Sequence, residues 1–124
     1  MAFAFEIALS LNWKNNARFI VFVADAPCHG TQYHSLYDSY PNGAPNRKNI
    51  EQLIKESAEN NISLFCMEIT KYTDKMFKVF QNIYKNYNNC QFRIVPMNSA
   101  ESLSTNVVDS AAEIYVYQRN INKL

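Results

Sequence analysis

The chain has 124 residues, enough for one small domain or part of one. Its apolar share of 48 % is that of a globular chain, and its formal charge of +1 leaves no basic face able to neutralise many phosphates, so nucleic acid is excluded as a partner. No apolar run reaches the roughly eighteen residues of a membrane span, and the opening MAFAFEIALSLNW lacks the basic flank and small-residue cleavage site of a secretory leader. Three cysteines, at 28, 66 and 90, make no disulfide framework and imply a reducing, cytoplasmic setting.

Taken in chain order, the elements alternate in period. Phe3, Ile7 and Leu11 share one stripe at fourfold spacing, which predicts a helix over 2–13. The run RFIVFVA, 18–24, is apolar on both faces, as a strand inside a parallel sheet must be. Residues 25–46 form a long loop punctuated by Pro27, Gly30, Pro41, Asn42-Gly43 and Pro45. A helix over 47–59 buries Ile50, Leu53, Ile54 and Ala58, pairs Glu51 with Lys55 on its wet side, and ends on Asn60-Asn61. A second strand spans 62–69. Thr73 is placed to cap a helix over 73–87 whose inner face is Met76, Phe77, Phe80, Ile83, Tyr84 and Tyr87. A third strand over 91–95 and a helix over 100–118, with Leu103, Val107, Ala111 and Ile114 inward, complete the chain.

This order specifies the α/β class, a doubly wound, Rossmann-like parallel sheet of three strands with helices on both faces. Three strands are few for such a sheet, and RFIVFVA is apolar enough to need a neighbour on each side. Residues 1–124 therefore read as a single partial domain, its first half expected upstream of Met1. An uncovered strand edge implies self-association.

The loop holds what chemistry there is. Ligands of open parallel sheets bind at the carboxyl ends of strands, and Asp25 stands there, where a carboxylate can hold a hard divalent cation or simply turn the chain before Ala26-Pro27. Cys28, His29 and His34 offer a thiolate and two imidazoles, with Asp25 or Asp38 as a further ligand. Their spacing fits no established zinc pattern. A Cys–His nucleophile pair would need an orienting group and an oxyanion hole that cannot be named. Packing of the loop onto the sheet explains the same residues. Cys66 and Cys90 sit among apolar neighbours as core fillers. Lys14, Arg18, Arg47 and Lys48 could meet near the strand ends, though a solvated surface accounts for them equally, and two glycines cannot build a phosphate loop.

The segments LNWKNNARFIVFVADAPCHGTQYH, YDSYPNGAP, NIEQLI, NNISLFCMEIT and TDKMF resemble the von Willebrand factor type A-like domain associated with atypical alpha-type protein kinases. The resemblance covers roughly residues 9–80. It implies a six-stranded doubly wound sheet of which this chain holds the last three strands. It also implies a magnesium-bearing, metal-ion-dependent adhesion site in which Asp25 matches the aspartate after the fourth strand. The D-x-S-x-S loop and the threonine of that site have no counterpart here; Ser102, Ser104 and Thr105 fall on the final helix.

The expected function is thus a non-catalytic protein-binding module. It needs no cofactor by itself and would take Mg2+ only if the upstream half is supplied. The alternatives are a small metal-binding or Cys/His-dependent enzyme built on the 25–46 loop, or a truncated gene product without independent activity. No kinase element and no membrane partner are expected.

Overall fold

The computed structural model describes residues 1–45 and 48–123. Among them the elements run α1 (Ala2–Ser10), β1 (Phe19–Ala24), α2 (Ile50–Glu59), β2 (Ser63–Glu68), a short 3-10 turn (Lys71–Thr73), α3 (Asp74–Tyr84), β3 (Phe92–Pro96) and α4 (Ser102–Ile121). The three strands form one parallel sheet in the order β1-β2-β3. The α/β, Rossmann-like arrangement is as the pattern requires.

Alternation along the strands sorts the two faces. Ile20, Phe22, Leu64, Cys66, Phe92 and Ile94 face a layer made by α1, α2 and α3, where Phe5, Leu53, Ile54, Met76, Phe77 and Phe80 are buried. Phe19, Val21, Phe65, Met67 and Val95 face α4 through Ile114 and Leu103. Leu64, Phe65, Cys66 and Met67 are all 0 % exposed, so β2, and not β1, is the strand covered on both faces and both edges. β1 is an edge strand, with Val23 44 % exposed.

Local chemistry sets the helix ends, and several differ from the sequence expectation. α1 stops at Ser10, short of 13, because Leu11 turns extended and the Trp13 indole N–H donates to the Ala8 carbonyl at 2.9 Å, folding the chain back. The Phe3, Ile7 and Leu11 stripe faces outward, and the inward residue is Phe5, packed on Phe22 at 5.2 Å. α2 begins at Ile50 because the Asn49 side chain accepts from the Glu51 N–H and caps it; Lys48 lies outside the helix. Asn46 and Arg47, the end of the expected loop and the start of the expected helix, lie outside the described residues. At its other end Asn61 takes a left-handed φ of 57° while Asn61 and Ile62 donate to the Ala58 and Ser57 carbonyls, a Schellman ending as expected from the Asn pair. Glu51 and Lys55 do not pair: Tyr33 holds Glu51, and Lys55 reaches Glu59 at 3.8 Å.

Thr73 precedes α3 without capping it. Its hydroxyl donates backward to the Thr70 carbonyl, closing the 3-10 turn. α3 ends at Tyr84, not 87, where Asn86 donates its side-chain amide to the Asn82 and Ile83 carbonyls. The first two strands are one residue shorter at their starts than 18–24 and 62–69, the second also at its end, and the third is shifted by one to Phe92–Pro96. α4 runs from 102 to 121 instead of 100–118, its start set by the Ser102 hydroxyl and N–H both donating to the Ser99 carbonyl.

Phe77 joins α3 to β1 through Phe22 (6.1 Å) and to its own helix through Phe80 (6.4 Å), fully buried. Phe77→Ala removes a whole ring from a site that can only partly collapse, and is expected to cost about 3–5 kcal/mol. Denaturant melts should show the midpoint falling by that energy divided by the slope, with the slope itself unchanged.

Candidate functional site

The carboxyl end of β1 opens into the long loop, and a cavity of about 560 Å³ lies there, lined in part by Asp25, Cys28, His29, Tyr33 and Asn49. Asp25 is exposed on its rim. Its carbonyl accepts the Thr70 hydroxyl at 2.6 Å, which ties the end of β1 to the segment after β2. Thr70 was not singled out from sequence, since nothing in its neighbours marks a cross-strand tether.

Asp38 organises the loop. Its side chain is only 2 % exposed, and its two oxygens accept from the Gly30 N–H (2.7 Å), the Tyr40 N–H (2.8 Å), His29 Nδ1 (2.6 Å) and His34 Nε2 (3.2 Å). The Gly30 N–H first, then the Tyr40 N–H and His29, hold this carboxyl well below the usual carboxylate range in spite of its burial. His34 has one arrangement open to it. The Leu36 N–H donates to Nδ1 at 3.1 Å, so the ring proton is on Nε2 and points at Asp38. Both His34 nitrogens are thereby used within the loop. His29 is half exposed and meets the Tyr40 ring edge-on at 5.0 Å.

Gly30 is required where it stands. Its φ is +123°, and a Cβ there would meet Gln32 Oε1 at 2.8 Å and the Tyr33 ring at 3.0 Å. Tyr33, 2 % exposed, plugs the loop into the core and donates its hydroxyl to Glu51 at 2.9 Å. Burial, then that carboxylate, pushes its phenol up. The Tyr33–Glu51 anchor was also missed from sequence, because a tyrosine in a loop carries no period.

Cys28 parts company with its neighbour His29. Its backbone N–H donates to the buried Met76 sulfur at 3.3 Å and its side chain packs on the core. Burial pushes its thiol up to about 12. Cys90 is raised to about 11 by the same cause, and Cys66 further still. All three cysteines are free.

These residues do not make a metal centre. Among the described residues no group of three or more His, Cys, Asp or Glu side chains could hold an ion. Asp25 contributes a single carboxylate, apart from the His29–Asp38–His34 cluster, so the chain's own donors do not fit Mg2+, which takes several oxygens in a near-octahedral shell. Of the basic residues, Arg18 and Lys48 lie at opposite ends of β1. Arg18 donates to the Asn15 and Asn60 carbonyls at the amino end of β1, while Lys48 lines the cavity at the other end. Arg47 lies outside the described residues. Among those residues, no helix is long and apolar enough to cross a membrane.

Comparison with known proteins finds no matching family model and no matching solved structure. The chain is 34 % identical over 103 residues to alpha-protein kinase vwkA of Dictyostelium discoideum, a stretch covering 82 % of this chain and 16 % of vwkA. The chain thus spans about a sixth of the length of the relative it matches. It is similar to a segment of an alpha-protein kinase.

Two outcomes follow from this geometry. A thiol raised from 9.0 to about 12 carries roughly 1,000-fold less thiolate at neutral pH, so iodoacetamide should label Cys28 of the folded chain far more slowly than the unfolded one. Labelling at the unfolded rate would restore the nucleophile reading. The Asp38 carboxyl is depressed in the folded chain, so its contribution to stability is present above its ordinary value of 3.8 and is lost as pH falls below it. Asp38→Asn should melt earlier at pH 7 and show a flatter acid limb in thermal melts taken across that range.

Proposed function

We propose that the chain is part of a von Willebrand A-like domain, and that its role is non-catalytic protein recognition at the carboxyl ends of its strands. The observation that carries this reading is the junction of β1 with its loop. An exposed aspartate stands at the end of a parallel strand, beside a concave surface braced by a buried carboxylate. Ligands of doubly wound sheets bind in that place. The similarity to vwkA supports the kinase-associated version of this domain.

A binding role suits the loop's chemistry better than catalysis does. Cys28 is turned into the core, and His34 spends both nitrogens on internal bonds. What remains outward is shape: the exposed Leu36, Tyr37 and Tyr40 side chains around the clamped turn. Aromatic side chains of this kind supply large contact areas at low entropic cost. Three free thiols go with a reducing, cytoplasmic compartment. A divalent cation would enter only with oxygen ligands from outside this chain.

The reading is tested by joining the chain to the first half of a von Willebrand A-like domain, one that carries the D-x-S-x-S loop. Millimolar Mg2+ should raise the melting temperature of the joined protein, and Asp25→Asn should abolish the rise. The 124-residue chain alone should show no Mg2+ response. A joined protein that folds and yet ignores Mg2+, or one whose response survives Asp25→Asn, overturns the assignment.

A further inference from the structure

α3 lies against α2 and β3, on the side of the sheet farthest from β1. Whatever pairs with the outer edge of β1 leaves the outer face of this helix open. That face carries one chemistry. Lys71, Lys75, Lys78, Asn82 and Lys85 recur at alternating spacings of four and three, opposite the buried Phe77, Phe80 and Tyr84, and all five are exposed. Four of the chain's eight lysines thus stand in one row, about 20 Å long.

The row is kept against the helix's own preferences. Lys75 sits in the first turn, at the positive end of the helix dipole. Lys71 and Lys78 are four and three residues away from it, spacings at which like charges repel. Little nearby offsets them. Glu68 takes Lys71 at 2.9 Å, but Lys75 and Lys85 reach only uncharged oxygens, the Thr31 carbonyl and the Asn82 side chain, each at 3.3 Å. Among the described residues Lys78 has no partner. Glu51 and Glu59 of the neighbouring α2 are engaged by Tyr33 and Lys55, and Asp74 is the single acid of α3. Local rules broken together on one face mark a surface shaped by a partner.

We propose that this row binds an acidic protein segment, an extended stretch with aspartate or glutamate at alternate positions. Side chains on one side of an extended strand stand about 7 Å apart, close to the roughly 5–6 Å between neighbours of a helical row, and the flexible lysine stems take up the difference. About six residues of such a segment span the row. A row one lysine wide suits a linear anion. No large apolar side chain of α3 is exposed, so the face has neither the wedge that a membrane-bound helix sinks among lipids nor the ring on which a nucleic-acid base stacks. The row starts beside the long loop, where Lys75 holds the Thr31 carbonyl, so a partner seated at the strand ends can continue along it. Its charge does not depend on Asp25.

Fluorescence anisotropy tests this with the 124-residue chain and a labelled peptide of about ten residues, alternating glutamate and serine, in about 50 mM NaCl. The peptide should bind, and its glutamine–serine counterpart should not. Lys78→Glu with Lys85→Glu should weaken binding at least about tenfold, and Lys78→Gln with Lys85→Gln by a smaller factor. Raising NaCl to about 0.3 M should weaken it several-fold. Lys123→Glu, just beyond α4 on the other side of the sheet, should bind like the parent, as should Asp25→Asn. Circular dichroism should report every variant folded. No binding at millimolar peptide overturns the proposal. So does binding that survives both paired variants, binding lost equally in Lys123→Glu or only in Asp25→Asn, or a preference for phosphatidylserine vesicles or single-stranded RNA over the peptide.

Discussion

Everything in this small fold hangs on the burial of β2. Its six residues are enclosed by β1 and β3 at the edges and by helices on both faces. Such a strand has no wet side, so its sequence cannot alternate, and both helical layers must be present for it to be stable. The α2–α3 layer is the thick one, with aromatic contacts running from Phe5 through Phe22 to Phe77 and Phe80. The other face depends on α4 alone, which reaches the sheet through Ile114 and Leu103. Deletion of α4 would expose Phe65 and Met67 together.

The fold class could be read from the alternation of β-branched runs with helical periods, because that pattern records which surfaces must leave water. The α3 face was legible for the same reason: Met76, Phe77, Phe80 and Tyr84 recur at helical spacing and are all buried. The α1 stripe misled because period alone does not say which side of a helix faces the core. Phe3, Ile7 and Leu11 keep their spacing but are largely exposed, and Phe5, flanked by Ala2 and Leu9, packs on the core instead. Strand position in the sheet was equally hidden. β1 and the middle of β2 are both continuously apolar, and only the pairing shows that β1 is the edge.

The loop marks the limit of reading chemistry from residue types. Cys28, His29, His34 and Asp38 are close in sequence and invite a ligand set, yet the structure distributes them differently. Asp38 gathers the two imidazoles and two backbone N–H groups, and Cys28 leaves for the core. Gly30 is what permits this, since its left-handed backbone lets the chain reverse against Tyr33. No spacing rule contains that reversal. Asp25, by contrast, stands where a strand-end aspartate was expected, because its position follows from the strand and not from the loop.

The Asp38 cluster also bears on how the loop moves. Four groups of the loop, the Gly30 and Tyr40 N–H and the two imidazoles, share that one carboxylate, and the Tyr33 ring seats the same turn in the core. Loss of the carboxylate would cost all four a partner at once. The Thr31 bond to the Pro41 carbonyl and the Cys28 bond to Met76 would still tether the loop, while amide hydrogens of β2 exchange only when the whole sheet comes apart.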